Sequence, residues 1–236
     1  ISSFDDFAQQ VAFFVDVASD YRCDFVVFPE LFTLQLLGLT KSKRPGLAAR
    51  KVAEFTPKYL ELMTSLAVKH AVNIIGGSLF CIEGGKLYNV SYLFRRNGTV
   101  GKQYKLHVTP SERKWWGVEG GKKIEVFGTD RGRIAINVCY DVEFPEAVRD
   151  LAAQGVDAVL APTANMREFD EVPLKMVPQR ARDNRLHVAY ANACGHEGGL
   201  HYGGLSTVAG PAGERLALAS RCSELLSVRL TAGSQK

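Results

Sequence analysis

Long apolar runs and secretion signals are missing from this sequence. No apolar run reaches the roughly 18 to 20 residues that cross a bilayer. Residues 1–6 contain neither the basic segment nor the cleavage signal of a secretory leader. We therefore expect a soluble, cytoplasmic protein that has no membrane partner.

Cysteine is also scarce. The five cysteines at positions 23, 81, 139, 194 and 222 are odd in number and form no Cys-x-x-Cys pair, which disfavours a disulfide framework and a zinc knuckle. A cysteine in such a setting is most often a small buried apolar residue. Of the five, only Cys139 is a candidate nucleophile, because it ends a predicted strand shortly before a helix.

Charge of one sign is nowhere concentrated. The net charge of +4 comes from 29 basic and 25 acidic residues spread along the chain, without the basic stripe of a nucleic-acid site. The sequence contains no Gly-x-Ser-x-Gly elbow and no Gly-x-x-x-x-Gly-Lys phosphate loop. Nucleic acid is not expected as a partner, and a serine-hydrolase elbow and a phosphate loop are excluded.

The patterns that are present predict an α/β protein. With 236 residues, 46% of them hydrophobic, we expect one domain over 1–236. Apolar periodicity predicts helices at 3–22, 53–70, 145–154 and 172–185, and strands at 25–28, 72–80, 86–94, 99–104, 123–127, 133–139, 156–161, 187–193, 204–210 and 224–230. Ser3 and Asp6 form a potential capping box, and Asn97-Gly98 predicts a tight hairpin turn. Buried strands between helices indicate mixed sheets with helices outside.

Three residues with useful chemistry follow predicted strands. Glu30 comes after a wholly apolar strand and a proline, Lys105 ends the strand 99–104, and Cys139 ends the strand 133–139 shortly before a helix. Reactive groups of α/β folds gather where strands end. A base, a cation and a nucleophile are the minimum set for acyl transfer through a covalent intermediate.

These residues stand in motifs that resemble a known family. Phe-Pro-Glu-Leu-Phe at 28–32, Tyr-Lys-Leu-His at 104–107 and Asn-Val-Cys-Tyr-Asp-Val-Glu-Phe-Pro-Glu at 137–146 are similar, in order and spacing, to the three signatures of the nitrilase (carbon-nitrogen hydrolase) superfamily. The resemblance covers nearly the whole chain. The stretches 159–166 and 189–192 look most like the amidase branch.

The resemblance implies a fold and an assembly. The fold is a four-layer α-β-β-α sandwich, commonly assembled into dimers or larger homo-oligomers. Family members usually begin with a strand ahead of the first helix, whereas this sequence opens at that helix. We therefore expect the first strand to be missing or its edge of the sheet to be reorganised.

The resemblance also implies catalytic roles. Glu30 corresponds to the general base and Cys139 to the nucleophile. Lys105 corresponds to the cation that stabilises the oxyanion together with the backbone N–H of Tyr140. Glu112 matches a second acid. No metal or organic cofactor is expected.

The residues beside Cys139 bear on the substrate. Tyr140, Asp141, Glu143 and Asn165 flank the nucleophile or the next strand end, and we expect them to contact a small-molecule amide. Acidic groups there suit an amine-bearing substrate. Hydrolysis of a primary carboxamide is the leading hypothesis; an N-carbamoyl amine hydrolase, a nitrilase and a non-catalytic binding or assembly module are the alternatives.

Two further features leave alternatives open. Cys194, His196 and His201 lie close together in sequence and are possible metal ligands, although a glycine-rich loop after a strand is the simpler interpretation. Trp115 and Trp116 stand in a sequence flanked by glycine that we expect to be a loop. A substrate platform and an oligomer contact are the two interpretations of these residues.

Overall fold

A computed structural model describes residues 1–40, 42, 44–197 and 199–230. The chain divides into two units, Ile1–Lys123 and Ile124–Lys236, each with its own six-stranded sheet and apolar core. The helices and mixed sheets confirm the predicted α/β class. The prediction of one domain over 1–236 stays a prediction.

In its described residues, the first unit combines three α-helices with six strands. The helices are α1 (Phe4–Asp20), α2 (Pro45–Ala53) and α3 (Thr56–Lys69), and the strands are β1 (Phe25–Val27), β2 (Asn73–Ile75), β3 (Leu79–Glu83), β4 (Lys86–Phe94), β5 (Val100–Tyr104) and β6 (Val118–Glu119). A 3₁₀ helix, Phe32–Leu39, and a π-helical turn, Glu112–Trp116, complete the unit. Strand β4 pairs with β2, β3, β5 and β6, and β1 pairs with β2 in parallel.

Local chemistry determines how α1 and the β4–β5 hairpin form. The Ser3 hydroxyl accepts from the Asp6 N–H at 3.0 Å and the Asp6 carboxylate accepts from the Ser3 N–H at 3.1 Å, so the predicted capping box is confirmed. Strands β4 and β5 pair antiparallel around the turn that contains Gly98, whose φ is 84°. The predicted hairpin is confirmed.

Two predicted elements of this unit differ from the structure. The strand expected at 72–80 is two strands, because Gly76 and Gly77 interrupt it and Gly77 adopts a left-handed φ of 58°. The helix expected at 53–70 begins only at Thr56, and α2 precedes it as a separate helix that the sequence analysis did not predict. Proline in the first turn starts each of these two helices.

Within the part of the chain that the structure describes, the second unit combines two α-helices with eight strands. The helices are α4 (Pro145–Ala153) and α5 (Val177–Asn184), and the strands are β7 (Val126–Thr129), β8 (Gly132–Ile136), β9 (Ala158–Thr163), β10 (His187–Asn192), β11 (Cys194–Glu197), β12 (Leu200–Gly203), β13 (Thr207–Ala209) and β14 (Arg215–Leu218). Short 3₁₀ helices, Cys139–Glu143 and Arg167–Phe169, and a π-helical turn, Val172–Met176, lie between them.

Three parallel strands form the middle of the second sheet. Its order is β14-β13-β10-β9-β8-β7, and β8, β9 and β10 run parallel. Strand β9 is buried along its whole length, which explains its continuous apolar sequence. The carboxyl ends of these strands meet at one edge, where the segments after β8 and β9 carry Cys139 and Asn165.

The strand predicted at 224–230 is wrong. Those residues have no regular secondary structure, and the strand that pairs with β13 is β14, which follows the turn at 211–213 directly. A hairpin pairs the residues nearest its turn first, so Arg215–Leu218 takes the position next to β13.

Candidate active site

The backbone around Glu30 is held by the segment that follows the neighbouring parallel strand. Leu31 has a left-handed φ of 49°, and its N–H donates to the buried Ser78 hydroxyl at 3.0 Å. A Cβ on Gly77 would lie 2.1 Å from the carbonyl oxygen of Pro29. Only glycine permits this approach, which places the Glu30 side chain at the carboxyl end of β1.

Lys105 lies between two carboxylates. Its ammonium donates to Glu30 Oε1 at 2.8 Å and to Glu112 Oε2 at 2.7 Å. The exposed fractions of the three residues are 1%, 4% and 6% for Lys105, Glu30 and Glu112. The structure therefore brings three of the four predicted catalytic side chains together in a water-poor cluster of the first unit.

Asn89 and Thr109 complete this cluster. The side-chain amide of Asn89, on β4, donates to Glu30 Oε1 at 2.8 Å and to Glu112 Oε1 at 3.0 Å. Both the N–H and the hydroxyl of Thr109 donate to Glu112 Oε2 at 2.9 Å. The two carboxylates thus have a neutral bridge in Asn89 as well as a charged one in Lys105.

Opposing effects determine the protonation of Glu112. Burial favours the neutral acid, but the Lys105 ammonium and the donors from Thr109 and Asn89 outweigh it, so the pKa of Glu112 lies below its usual value. Glu112 is therefore a carboxylate at neutral pH.

Cys139 stands on a tight turn three positions beyond Ile136, where β8 ends, so the strand predicted at 133–139 is too long at its carboxyl end. The Cys139 φ of 51° is left-handed, and this residue begins the 3₁₀ helix Cys139–Glu143. The fully buried Asp141 carboxylate accepts from the Val138 N–H at 3.1 Å, and the Asp141 N–H donates to the Val138 carbonyl at 3.2 Å. Asp141 therefore stabilises the turn that presents the thiol.

A buried arginine holds the end of the same helix. Arg180 on α5 donates from Nε to the Val142 carbonyl at 3.1 Å and from a terminal nitrogen to the Glu143 carbonyl at 2.6 Å. Burial lowers the pKa of Arg180, which remains a cation at any physiological pH. The Cys139 segment is thus fixed at both ends.

Asn165 is the predicted substrate-binding residue that lies against the Cys139 thiol. The Cys139 thiol is 3.5 Å from Asn165 Oδ1, to which it donates. The Tyr140 and Phe144 rings pack edge to face at 5.0 Å between centroids, and both Tyr140 and Glu143 are half-buried. The second unit therefore brings together Cys139 and Asn165.

The potential metal ligands do not form a metal centre in the described chain. His196 and His201 face each other across β11 and β12, with ring centroids 4.2 Å apart. Among residues 1–40, 42, 44–197 and 199–230, no group of three or more His, Cys, Asp or Glu side chains is placed to hold a metal ion.

Several of these residues were not found from the sequence. Asn89, Ser78 and Arg180 are not among the site residues that the sequence predicts. A buried polar residue within a largely apolar strand, as at Asn89 in β4, is the one available signal. Pattern analysis cannot show which distant group such a residue contacts.

Comparison with known proteins identifies the family. The model of the family described as carbon-nitrogen hydrolase matches residues 1–234. The chain belongs to the carbon-nitrogen hydrolase family. A relative in Bacillus subtilis (strain 168), described as the probable hydrolase YhcX, is 48% identical over 197 residues, which are 83% of this chain and 38% of that protein. This carbon-nitrogen hydrolase chain thus spans well under half the length of that relative.

Solved structures confirm the fold as that of nitrilase-superfamily amidases. An amidase from Nesterenkonia sp. matches with a TM-score of 0.80 and 31% identity, over 91% of this chain and 80% of that one. A variant of the Nesterenkonia sp. AN1 amidase matches with a TM-score of 0.79 and 30% identity, over 94% and 85% of the two chains. That structure shows the product of Michael addition of acrylamide at the active-site cysteine.

No helix in the described part of this carbon-nitrogen hydrolase has both the length and the apolar character needed to cross a membrane.

Proposed function

We propose that this carbon-nitrogen hydrolase converts a primary carboxamide to the acid and ammonia through a thioester on Cys139. Family membership and the similarity to an amidase with an active-site cysteine support this proposal. A variant of the Nesterenkonia amidase carries acrylamide, itself a primary carboxamide, added at its active-site cysteine.

One observation carries the proposal: an ammonium lies between two buried carboxylates. Burying three charged groups is a poor way to stabilise a fold, because desolvation offsets much of their attraction. Clusters of this kind occur instead at functional sites, where charge must be placed in advance.

The proposed mechanism gives each residue a separate task. Glu30 takes the thiol proton as Cys139 attacks the amide carbon, and Lys105 and the Tyr140 N–H stabilise the oxyanion. Donors of this kind are each worth roughly 10² to 10³ in rate. Glu30 then returns the proton to the departing ammonia, leaving a thioester, and activates the water that releases the acid.

Glu112 is assigned a supporting role in this mechanism. It stays ionised beside Lys105 because its pKa lies below the usual value. It therefore helps to keep Lys105 charged and oriented while Glu30 exchanges protons.

The test combines turnover with mass spectrometry. Wild type, Cys139→Ala and the control Cys222→Ala, which changes an exposed cysteine, are mixed with small amides, N-carbamoyl amines and nitriles. We expect ammonia release and an acyl adduct on the tryptic peptide 134–149 in wild type and Cys222→Ala, and neither in Cys139→Ala.

The products distinguish the alternatives. Carbon dioxide together with ammonia identifies an N-carbamoyl amine hydrolase, and acid formed from a nitrile as fast as from the amide identifies a nitrilase. Neutral and ω-amino amides in the panel test the amine-bearing substrate, which equal turnover contradicts. A folded protein that turns over no compound favours the binding or assembly module.

A further inference from the structure

Two polar side chains of β10 lie beside the segment that carries Asn165. Tyr190 and Asn192 are two residues apart and therefore project from the same face of the strand. Strand β10 runs parallel to β9, with Tyr190 opposite Ala161 and Asn192 opposite Thr163. Asn165 follows β9 by two residues, within reach of both side chains.

Asn192 holds the backbone of Asn165. Its Oδ1 accepts from the Asn165 N–H at 2.8 Å, and its Nδ2 donates to the Asn165 carbonyl at 3.2 Å and to the Gly204 carbonyl at 2.8 Å. A single side-chain amide thus satisfies both backbone groups of Asn165, as a neighbouring strand would. This pairing fixes the place from which the Asn165 side chain extends.

Tyr190 holds the side chain of Asn165. The Tyr190 hydroxyl, on a residue only 1% exposed, accepts from Asn165 Nδ2 at 3.0 Å. The two polar atoms of a carboxamide lie on opposite sides of one rigid plane. Because Nδ2 is turned toward Tyr190, Oδ1 faces the thiol of Cys139 at 3.5 Å.

We propose that Tyr190 is a positioning residue that orients the Cys139 thiol through the Asn165 amide. Without the Tyr190 hydroxyl, the amide would lose the hydrogen bond that holds Nδ2 on the side away from the thiol. In the flipped amide, the NH₂ group would face sulfur in place of the oxygen that accepts from the thiol. This inference rests on the proposed function in one respect, that Cys139 is the nucleophile.

Misalignment of a reacting atom lowers the rate of reaction more than it lowers binding. Tyr190→Phe keeps the buried ring and removes only the hydroxyl. We expect kcat to fall about 3- to 10-fold, the range that one neutral hydrogen bond carries. We expect KM to stay within about twofold, because the loss is in alignment and not in binding.

A double-mutant cycle tests whether Tyr190 acts through Asn165. Asn165→Ala should lower kcat at least as much as Tyr190→Phe, and the double variant should be no slower than Asn165→Ala alone. Tyr92→Phe is the matched control, because it removes another buried tyrosine hydroxyl that lies 3.3 Å from a cysteine, Cys81. The control should leave kcat unchanged.

Alkylation without substrate separates this inference from the proposed function. The rate at which iodoacetamide labels Cys139, in peptide 134–149, is measured relative to the rate at Cys222. In Tyr190→Phe this relative rate should differ from the wild-type value by about threefold or more. It should not change further in the double variant. Additive losses of kcat, or an unchanged alkylation rate of Cys139, would overturn the positioning role. Turnover that survives Cys139→Ala would instead overturn the proposed function.

Discussion

At the scale of single residues, the cluster around Lys105 depends on balanced charge. One ammonium and the Asn89 amide satisfy two carboxylates that are almost removed from water. An ionised carboxylate without such partners in the same place would be strongly destabilised. The energy of each group therefore depends on the others, and removing one changes the protonation of the rest.

Lys105→Met should change how stability depends on pH. In wild type the pKa of Glu112 is lowered, so its contribution to stability is present above its unfolded pKa and is lost as pH falls through its folded pKa. Without Lys105, burial dominates and raises the carboxylate pKa. Stability is then lost as pH rises, and we expect a cost of about 3–5 kcal/mol at pH 7.5.

Thermal denaturation from pH 4.5 to 8 measures this effect. The difference in Tm between wild type and Lys105→Met should be larger at pH 8 than at pH 4.5. Lys51→Met, at an exposed lysine paired with Glu54, serves as the control and should show a small difference at every pH. A Tm difference that does not depend on pH contradicts the assigned charge balance.

At the scale of secondary structure elements, predicted site residues in each unit lie just beyond the carboxyl ends of parallel strands. The turn with Glu30 follows β1 and rests on the segment after β2, while Cys139 and Asn165 follow β8 and β9. Each turn contains a residue with left-handed φ, Leu31 or Cys139. Such conformations cost energy in residues other than glycine, so surrounding hydrogen bonds must hold them.

Gly77→Ala should disturb the Glu30 turn far more than Gly84→Ala disturbs its hairpin. Both glycines have left-handed φ, 58° and 54°, but a Cβ on Gly77 would lie 2.1 Å from the Pro29 oxygen, whereas one on Gly84 meets nothing within 4 Å. The shared backbone strain costs about 1–2 kcal/mol. The clash adds to it only at Gly77.

Urea denaturation and ammonia release measure the two consequences. Gly84→Ala should lose only the shared strain and keep its activity. Gly77→Ala should be more strongly destabilised and lose most of its activity, because the Glu30 backbone must move. Equal losses of stability in the two variants would show that the turn is not tightly packed.

At the scale of the whole molecule, the exposed apolar side chains bear on how the chain assembles. Resemblance to the family predicts a homo-oligomer, and several large apolar side chains are exposed, among them Trp115 at 59% and Leu47 at 52%. Exposed apolar surface often marks a contact with another chain or a ligand. Trp115 therefore keeps both interpretations, oligomer contact and substrate platform.

Sedimentation velocity tests both interpretations at once. We expect wild type to have at least twice the mass of the 25.9 kDa chain. In Trp115→Ala, a fall in mass identifies an oligomer contact, and a raised KM at unchanged mass identifies a substrate platform. Wild type at the mass of one chain contradicts the predicted oligomer.

The sequence by itself determined the α/β class, the capped first helix, the β4–β5 hairpin and the order in which Glu30, Lys105 and Cys139 follow strands, although β8 ends at Ile136 and not at Cys139. These features depend on apolar periodicity, caps and turn residues, which act over a few neighbouring positions. It was less reliable where glycine interrupts an apolar run, as at Gly76 and Gly77, and in the tail, where Arg215–Leu218 pairs with β13 in place of 224–230.

Only the tertiary structure decided which groups surround those residues. Asn89 reaches Glu30 across 59 positions of the chain, and Asn165 contacts Tyr190 across 25. Contacts of that range depend on strand order and register, which no local pattern contains. The sequence thus predicts the reactive groups, whereas the packing of the strands selects the side chains that hold them in place.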